Sequence, residues 1–456
     1  MKKHFPFGTL ALIISLPFVT GCGDDEPPPE EKAECNFASG SGCEAGKVCE
    51  EVDGEKAQCF APLVVSGRVF DLSDDAAIEG ARVVARDANG AALSSVAITD
   101  PEGHYELRVP AKRLPGGEIA DTSVTLRADA TGFLTFPLAP RVALPIDLST
   151  ATGDPPEVMS ALTDVGLIPL PDADRGTISG RVLAERPGGT LVVAGGVTGI
   201  ADKEGDYAIF NVPAGTVSVE GYLPGVNLEP EEVELAADEA VADVDLAVVS
   251  DANATVSGTV QIVNAPGGSM TSVILVVEST FIETTARGEA PPGFRAADVS
   301  GAWSIERVPN GRYVALAAFE NDGLVRDPDT SIGGTDIVHF EVSGSDVELE
   351  GFKVTAALAV VGPGADEPEA VSGAFELSWE DDSSEDTYDL TVFDALGEVT
   401  WELSGIVGPG GNDPVAVPYE GPALMPGMFY QFRATSIKDG VPISATEDLR
   451  GVFTAQ

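Results

Sequence analysis

Apolar and polar residues alternate in short runs along most of the chain. The segments Tyr207–Ile209 and Trp303–Ile305 place large apolar side chains at every second position, as a strand with one buried face requires. Glycine, proline and aspartate separate these runs, and helical periodicity is scarce. Short strands with frequent turns predict an all-β protein built of sandwiches.

Two short phrases recur three times along the chain. The first, Ser-Gly-x-Val, begins at Ser66, Ser179 and Ser257. The second phrase is Asp-x-x-Gly-x-Tyr/Trp. We expect its Asp side chain to bond to its own backbone, its Gly to adopt a positive φ and its aromatic ring to be buried. Its turn and core residues are Asp100, Gly103, Tyr105, Asp202, Gly205, Tyr207, Asp298, Gly301 and Trp303. Such a period indicates one small unit copied in series.

The Ser-Gly-x-Val opening, the Asp-x-x-Gly-x-Tyr/Trp turn and the following Val-Pro resemble the carboxypeptidase regulatory-like domain, a transthyretin-like Greek-key sandwich. The resemblance implies three such domains, at 62–171, 175–250 and 254–355. The resemblance implies no particular chemistry, because one fold can host many functions and the residues of the site decide which. The segment between the two phrases is longest in the third copy. We interpret Thr284–Arg295 as a loop insertion and expect function in such loops.

A different pattern occupies residues 356–456. Strand-like alternation surrounds Trp379, and Leu424, Pro426 and Tyr430 form a Leu-x-Pro-x-x-x-Tyr sequence. This pattern resembles the fibronectin type III domain. The resemblance implies that Trp379 lies in the core and that the Tyr430 hydroxyl bonds to upstream backbone.

The amino terminus has the features of an export signal. Two lysines precede the apolar run Leu10–Leu16, which is too short to span a bilayer. The sequence Val19–Cys22 resembles a bacterial lipobox, which implies removal of residues 1–21 and diacylation of Cys22. An ordinary secretory signal is the alternative.

The residues after the lipobox predict how the chain leaves the membrane. Gly23 follows Cys22, which favours the outer over the inner membrane. Residues 22–34 contain Pro27–Pro29 and several acidic residues, and this composition predicts an extended, solvated tether.

Four cysteines lie in the segment 35–60, at Cys35, Cys43, Cys49 and Cys59. An even number in an exported chain predicts two disulfides, for which three pairings are possible. Pairing the first cysteine with the third and the second with the fourth is similar to the interlocked pattern of EGF modules, although those carry six cysteines. A zinc knuckle is the alternative, but oxidising surroundings and the absence of nearby histidine disfavour it.

The formal net charge is −48, and lysine and arginine are scattered. This distribution excludes nucleic-acid binding and charge-driven attachment to anionic membranes. The acidity favours solubility. Carboxylates in Glu380–Asp386 and Asp327–Asp329 could bind calcium, although neither segment has EF-hand spacing. No other cofactor is predicted.

The resemblance to a carboxypeptidase appendage raises the hypothesis of a zinc hydrolase. Such an enzyme needs three clustered protein ligands around zinc, but His104 and His339 belong to different repeats. The chain also lacks a nucleophile elbow, a P-loop and a dinucleotide fingerprint. We therefore predict that it is not an enzyme.

Together these features predict a lipid-anchored cell-envelope protein, shaped as a rod of semi-rigid domains. Its predicted role is adhesion, binding or scaffolding, with a protein or a polysaccharide as partner, and a pure spacer is a further hypothesis. Carbohydrate binding is the alternative and needs exposed aromatic rings. The candidates for such a platform are Tyr222, Phe281, Phe294 and Trp401.

Overall fold

The computed structural model confirms the all-β prediction. No α-helix occurs in the described residues, and none of them forms a helix long and apolar enough to cross a membrane. Cys22, the tether and Asp327–Asp329 lie outside these residues. The structure describes residues 35–36, 41–87, 92–120, 122–137, 143–170, 174–283, 287–318, 322–326, 337–382, 384–394, 399–410, 413–426, 428–447 and 450–455.

The first folded unit is a small hairpin module with two disulfides. Its strands β1 (Val48–Glu50) and β2 (Gln58–Phe60) pair antiparallel, with Cys49 opposite Cys59. Disulfides join Cys35 to Cys49 and Cys43 to Cys59, with Cα–Cα distances of 5.8 and 5.5 Å. The pairing is the interlocked one, and the zinc-knuckle alternative is wrong because all four sulfurs are bonded in pairs.

The first sandwich packs two sheets face to face. Its strands are β3 (Leu63–Asp71), β4 (Arg82–Arg86), β5 (Ala97–Ile98), β6 (His104–Val109), β7 (Ser123–Asp129), β8 (Ile146–Asp147), β9 (Glu157–Val158) and β10 (Val165–Leu167). One sheet has the order β10-β3-β6, with β9 also on β3, and the other has the order β5-β4-β7-β8. In β6, Tyr105 and Leu107 are buried while His104 and Glu106 are exposed, as the alternation predicts.

The second sandwich is wound from one continuous sheet path. Its strands are β11 (Arg175–Leu183), β12 (Leu191–Ala194), β13 (Val197–Ile200), β14 (Asp206–Pro213), β15 (Gly215–Leu223), β16 (Val226–Leu228), β17 (Glu231–Leu235), β18 (Ala240–Val241) and β19 (Leu246–Asp251). The path β13-β12-β15-β16-β19-β11-β14 encloses a core that includes Ile178, Ile209 and Leu246.

The third sandwich again has two sheets. Its strands are β20 (Ala254–Val263), β21 (Thr271–Val277), β22 (Arg295–Val299), β23 (Ala302–Val308), β24 (Gly311–Ala317), β25 (Leu324–Arg326), β26 (Val338–Val342), β27 (Val347–Glu348) and β28 (Phe352–Ala356). The sheet orders are β23-β20-β28-β25, with β27 on β20, and β22-β21-β24-β26. Every residue of β21 is buried, because apolar clusters cover both faces of its sheet.

The carboxyl-terminal sandwich has a separate core. Its strands are β29 (Val360–Gly362), β30 (Glu369–Val371), β31 (Glu376–Trp379), β32 (Thr387–Asp394), β33 (Val399–Ile406), β34 (Val415–Pro418), β35 (Phe429–Lys438), β36 (Val441–Ala445) and β37 (Val452–Ala455). Trp379 is fully buried beside Tyr388 and Phe432. The Tyr430 hydroxyl accepts a bond from Met425 N–H at 2.8 Å. Both residues therefore hold the fold, as the sequence predicts.

The two repeated phrases meet across paired strands. Tyr105 and Tyr207 lie directly opposite Gly67 and Gly180, and Trp303 lies opposite Gly258 in the same way. All three rings are buried. The aromatic residue of the second phrase therefore covers the glycine of the first in each sandwich.

The Asp-x-x-Gly turn has the predicted form in the first two copies. Asp100 Oδ1 accepts the backbone N–H of Glu102 and His104 at 3.0 and 2.8 Å, and Asp202 makes the equivalent bonds. Gly103 and Gly205 have φ of +79° and +92°. Only glycine adopts such a φ without strain.

The third copy departs from this turn. Gly301 does not lie in the left-handed region, and Asp298 instead has φ of +53°. The prediction of a positive φ at Gly301 is wrong, because the register of β21 against β22 shifts at Asp298 and a bulge takes up the bend. One bond is kept, since Val260 N–H donates to Gly301 O at 2.8 Å, as Val182 N–H does to Gly205 O.

The sandwiches are not arranged as a rod in which only chain neighbours touch. Strand β12 is buried on both faces, with Val192 in the core of the second sandwich and Leu191 in a cluster shared with the third. Val84 of the first sandwich belongs to the same shared cluster, together with Leu275 of the third. The first and third sandwiches are therefore in direct contact, which corrects the rod expectation.

Candidate functional surfaces and the buried junction

The described part of the predicted loop insertion is packed into the protein. Residues 284–286 lie outside the described part. Glu289 O accepts the Val277 N–H at 3.0 Å, and Glu289 N–H donates to Thr280 Oγ1 at 2.9 Å. Phe294, near the end of the insertion, is 1% exposed. The segment 287–295 is therefore a structural connection, which corrects the expectation of a free functional loop there.

Arg127 on β7 lies where three sandwiches meet, and its side chain is fully buried. Nε and Nη2 donate to the two carboxylate oxygens of Asp129 at 2.8 and 2.9 Å. Nη2 also donates to Thr198 Oγ1 of the second sandwich at 2.8 Å, and Nη1 donates to Glu289 Oε2 of the third at 2.8 Å. One planar guanidinium thus connects side chains of three sandwiches, as its five fixed donors allow.

A second arginine balances the charge of this junction. Arg86 Nη2 on β4 lies 3.3 Å from Glu289 Oε2. Burial on its own would raise the pKa of Glu289, but the charges of Arg86 and Arg127 outweigh it and hold the pKa below its usual value of 4.5. The Glu289 carboxylate is therefore ionised at neutral pH, and each buried charge has an opposite partner.

Asparagine side chains join neighbouring sandwiches. Asn211 Oδ1 on β14 accepts the Gly132 N–H of the first sandwich at 2.7 Å, and Asn211 Nδ2 donates to Ala130 O at 2.9 Å. Asn227 Oδ1 of the second sandwich accepts the Asn310 N–H of the third at 2.7 Å. These bonds satisfy backbone groups that the contacts between sandwiches would otherwise desolvate.

The disulfide module is fixed to the first sandwich by Arg113. Arg113 Nε donates to Glu50 Oε2 at 2.6 Å, and both side chains are buried. The guanidinium carbon lies 4.7 Å from the centroid of the Phe60 ring. Burial raises the pKa of Glu50, although Arg113 opposes the rise. The module and the first sandwich therefore form one packed unit.

Two of the four candidate sugar-platform aromatics are buried. Tyr222 and Phe294 are 3% and 1% exposed and belong to the core cluster shared between sandwiches. Phe281 packs edge-on against His339, and Trp401 packs edge-on against Tyr419 at 5.1 Å between centroids. The predicted exposed platform is therefore wrong for Tyr222 and Phe294.

The acidic segment Glu380–Asp386 mainly bonds within its own sandwich. Asp382 Oδ1 accepts from Ser384 Oγ at 2.8 Å, and the Tyr388 hydroxyl donates to Asp381 Oδ1 at 3.0 Å. Burial, with the charges of Asp381 and Asp382, raises the pKa of Glu385. This segment brings no three carboxylates within 4.8 Å of one another across its described residues.

Neither of the two histidines in the described residues belongs to a group of metal-ligating side chains. His104 is exposed at the start of β6, and His339 Nδ1 lies 2.8 Å from Glu278 Oε1. Across the described residues, one group of three metal-ligating side chains has its ligand atoms within 4.8 Å of one another. That group consists of three disulfide cysteines, whose sulfurs are already bonded.

An acidic groove lies on the second sandwich beside β17. It has a volume of about 430 Å³, and three valines are among the residues that line it. Its acidic lining residues are Glu231, Glu232, Glu234, Asp243 and Asp245. All five are exposed, so water solvates their charges.

The residues of the junction have no motif in the sequence. Arg127 lies directly opposite Val84 on paired strands, on the face of the sheet that points away from the first core. An apolar residue at the outward position of β4 is a weak signal that another element covers this face. The partner Glu289 lies in the insertion, where no repeat constrains the sequence.

Neither a protein-family model nor a curated protein matches this chain. Similar solved structures include a variant of the major pilin subunit of Bacillus cereus, with 12% identity, a TM-score of 0.16, and coverage of 63% of this chain and 98% of the pilin. The minor pilin of Streptococcus agalactiae has 12% identity, a TM-score of 0.19, and coverage of 41% and 99%. A DUF3823 family protein from Bacteroides ovatus has 11% identity, a TM-score of 0.21, and coverage of 44% and 98%. Scores this low carry no argument about function.

Proposed function

We propose that this chain is a non-enzymatic protein of a bacterial cell envelope, anchored through a lipid on Cys22, that presents a binding surface on a stiff body of sandwiches. The three carboxypeptidase regulatory-like domains would form that body, and the fibronectin type III-like domain at 356–456 would follow it. The observation that carries the proposal is the buried junction at Arg127. It stiffens the series of domains, as a scaffold or an adhesin requires.

The roles of the buried titratable groups support a structural body. Burial raises the pKa of Tyr207, whose hydroxyl donates to a backbone carbonyl in the core. The Glu289 and Glu50 carboxylates are paired with arginines between folded units. Shifted pKa values occur in structural ion-pair networks as well as in active sites. Here each of these groups bonds to a partner inside the folded body.

The burial of Tyr222 and Phe294 favours a protein partner over a polysaccharide, because sugar recognition needs exposed rings. Pull-down from envelope extracts with the folded chain tests this choice, alongside binding to a glycan array. A specific glycan signal with no captured protein would favour the carbohydrate-binding alternative.

The anchor is tested by replacing Cys22 with serine. We expect the wild-type protein to incorporate a fatty-acid label and to remain with the membrane fraction, and Cys22→Ser to be released. Protease added to intact cells, compared with opened cells, reports the exposed face. The proposal would be contradicted if the wild-type protein took up no fatty-acid label and was found in the soluble fraction.

A further inference from the structure

We propose that the segment 287–295 of the third sandwich is a strap that locks the first sandwich against the third, with Glu289 as its locking residue. The whole second sandwich, 175–250, separates the locked partners in the chain. Their two polar contacts described above both end on Glu289 Oε2, at 2.8 Å from Arg127 Nη1 and 3.3 Å from Arg86 Nη2.

The lock lies in apolar surroundings. Val84, which is opposite Arg127 in the sheet, packs in one cluster with Leu275 and Val277 from the third sandwich. A low local dielectric strengthens an ion pair and protects it from salt. The strap thus joins the two sandwiches through charges that solvent reaches poorly.

The strap makes the contacts of the first sandwich depend on more than its neighbour in the chain. In an array where each unit touches only its neighbours, local opening is independent at each interface. Here the first sandwich is held by the second through Thr198 and Asn211, and by the third through Glu289. The two interfaces together fix the orientation of the first sandwich, so the three sandwiches act as one rigid body, whereas one remaining interface would let the first sandwich pivot.

Loss of Glu289 should open the lock without unfolding the first sandwich. Arg127 would keep Asp129 and Thr198 as partners, so its charge would stay compensated. The second sandwich would still hold the first through Asn211. The expected product is a folded chain whose first sandwich moves relative to the third.

The test measures the distance between the first and third sandwiches by pulsed electron spin resonance. Genetically encoded labels replace Glu106 on β6 and Glu306 on β23, both exposed, which leaves the disulfides intact. The variants are Glu289→Ala and Glu289→Gln. The exposed Glu283→Ala, from the same connection between β21 and β22, is the matched control for loss of an acid.

We expect a single narrow distance distribution for the labelled parent and for Glu283→Ala, and a distribution at least twice as wide for Glu289→Ala. Glu289→Gln keeps an acceptor oxygen but no charge, so the width of its distance distribution should lie between those of the parent and Glu289→Ala. Thr198→Val breaks a bond to the second sandwich and leaves the strap, so it should stay narrow. Equal widths for Glu289→Ala and Glu283→Ala, with circular dichroism showing both folded, would overturn the proposal. If Glu289→Ala does not fold, the same comparison with Glu289→Gln decides it.

Discussion

Gly180 lies directly opposite Tyr207 on β11 and β14, and the Tyr207 hydroxyl donates to Val244 O at 2.5 Å. A Cβ on Gly180 would lie 1.9 Å from that same carbonyl oxygen. The first sandwich repeats the relationship, with Gly67 opposite Tyr105, whose hydroxyl bonds Thr163 O at 2.5 Å. The glycine of one repeated phrase therefore makes room for the aromatic residue of the other and for the loop that it bonds.

Replacing Tyr207 with phenylalanine removes the hydroxyl donor and leaves the ring in place. The Val244 carbonyl then loses a buried partner, so we expect the free energy of unfolding to fall by about 1–3 kcal/mol. Urea unfolding followed by circular dichroism measures the change. Tyr419→Phe is the control, because the Tyr419 hydroxyl bonds Pro422 O at an exposed position. Equal losses for both variants would show that the buried bond has no special weight.

The glycines of the three turns should respond differently to alanine. A Cβ on Gly205 would lie 2.6 Å from Val182 O, and its φ is +92°. We expect Gly205→Ala to lower the free energy of unfolding by about 1–3 kcal/mol. Gly301 has no atom within 4 Å of its ideal Cβ position and lacks a positive φ. Gly301→Ala should therefore change stability by less than about 0.5 kcal/mol, and a loss as large as that of Gly205→Ala in thermal unfolding would refute this distinction.

The local chemistry of the repeat could be predicted from sequence because each residue type has one dominant physical use. Asp100 and Asp202 bond their own backbone, Gly103 and Gly205 take left-handed angles, and Tyr105 fills a core. The third copy shows the limit. A bulge at Asp298 replaces the glycine turn, and the alternation of β22 gives no sign of it.

The contacts between sandwiches could not be predicted, because they join residues without sequence relationship. Arg127 and Glu289 come from different copies of the repeat, and neither belongs to a repeated phrase. The positions of the buried arginines follow a common pattern that is visible only in the structure. In a chain of net charge −48, Arg86, Arg113 and Arg127 are all buried at contacts between folded units. Arginine is suited to such positions because it stays charged and bonds in several directions.

Adjacent residues allow a matched test of the attachment between the disulfide module and the first sandwich. Arg113→Ala leaves the buried Glu50 carboxylate without its arginine, and we expect a loss of about 3–5 kcal/mol. Lys112→Ala removes an exposed pair with Asp53 at 3.5 Å and should cost less than about 1 kcal/mol. Hydrogen exchange of β1 and β2 locates the effect. If both variants left protection in these strands unchanged, the module would not depend on Arg113.

Glu447 joins the carboxyl-terminal sandwich to the third one in a poorly solvated position. Its Oε1 accepts the Gly323 N–H at 2.7 Å, and the residue is 8% exposed. Burial, reinforced by the charge of Asp322, raises the pKa of Glu447 above its usual 4.5, and Arg450 does not outweigh them. The folded protein therefore binds this proton more tightly than the unfolded chain does.

A raised carboxyl pKa fixes the direction of the pH dependence. The contribution of Glu447 to stability is full below pH 4.5 and is lost as the pH rises through the folded-state pKa. Glu447→Gln imitates the protonated form and keeps an acceptor for the Gly323 N–H. We expect this variant to melt at or above the wild-type temperature at pH 7, and the difference to shrink as the pH falls towards 4.5. Scanning calorimetry between these pH values measures it, with the exposed Glu420→Gln as control. A difference that grows on acidification would reverse the sign assigned to Glu447, and a parallel change in Glu420→Gln would mean that general surface charge is responsible.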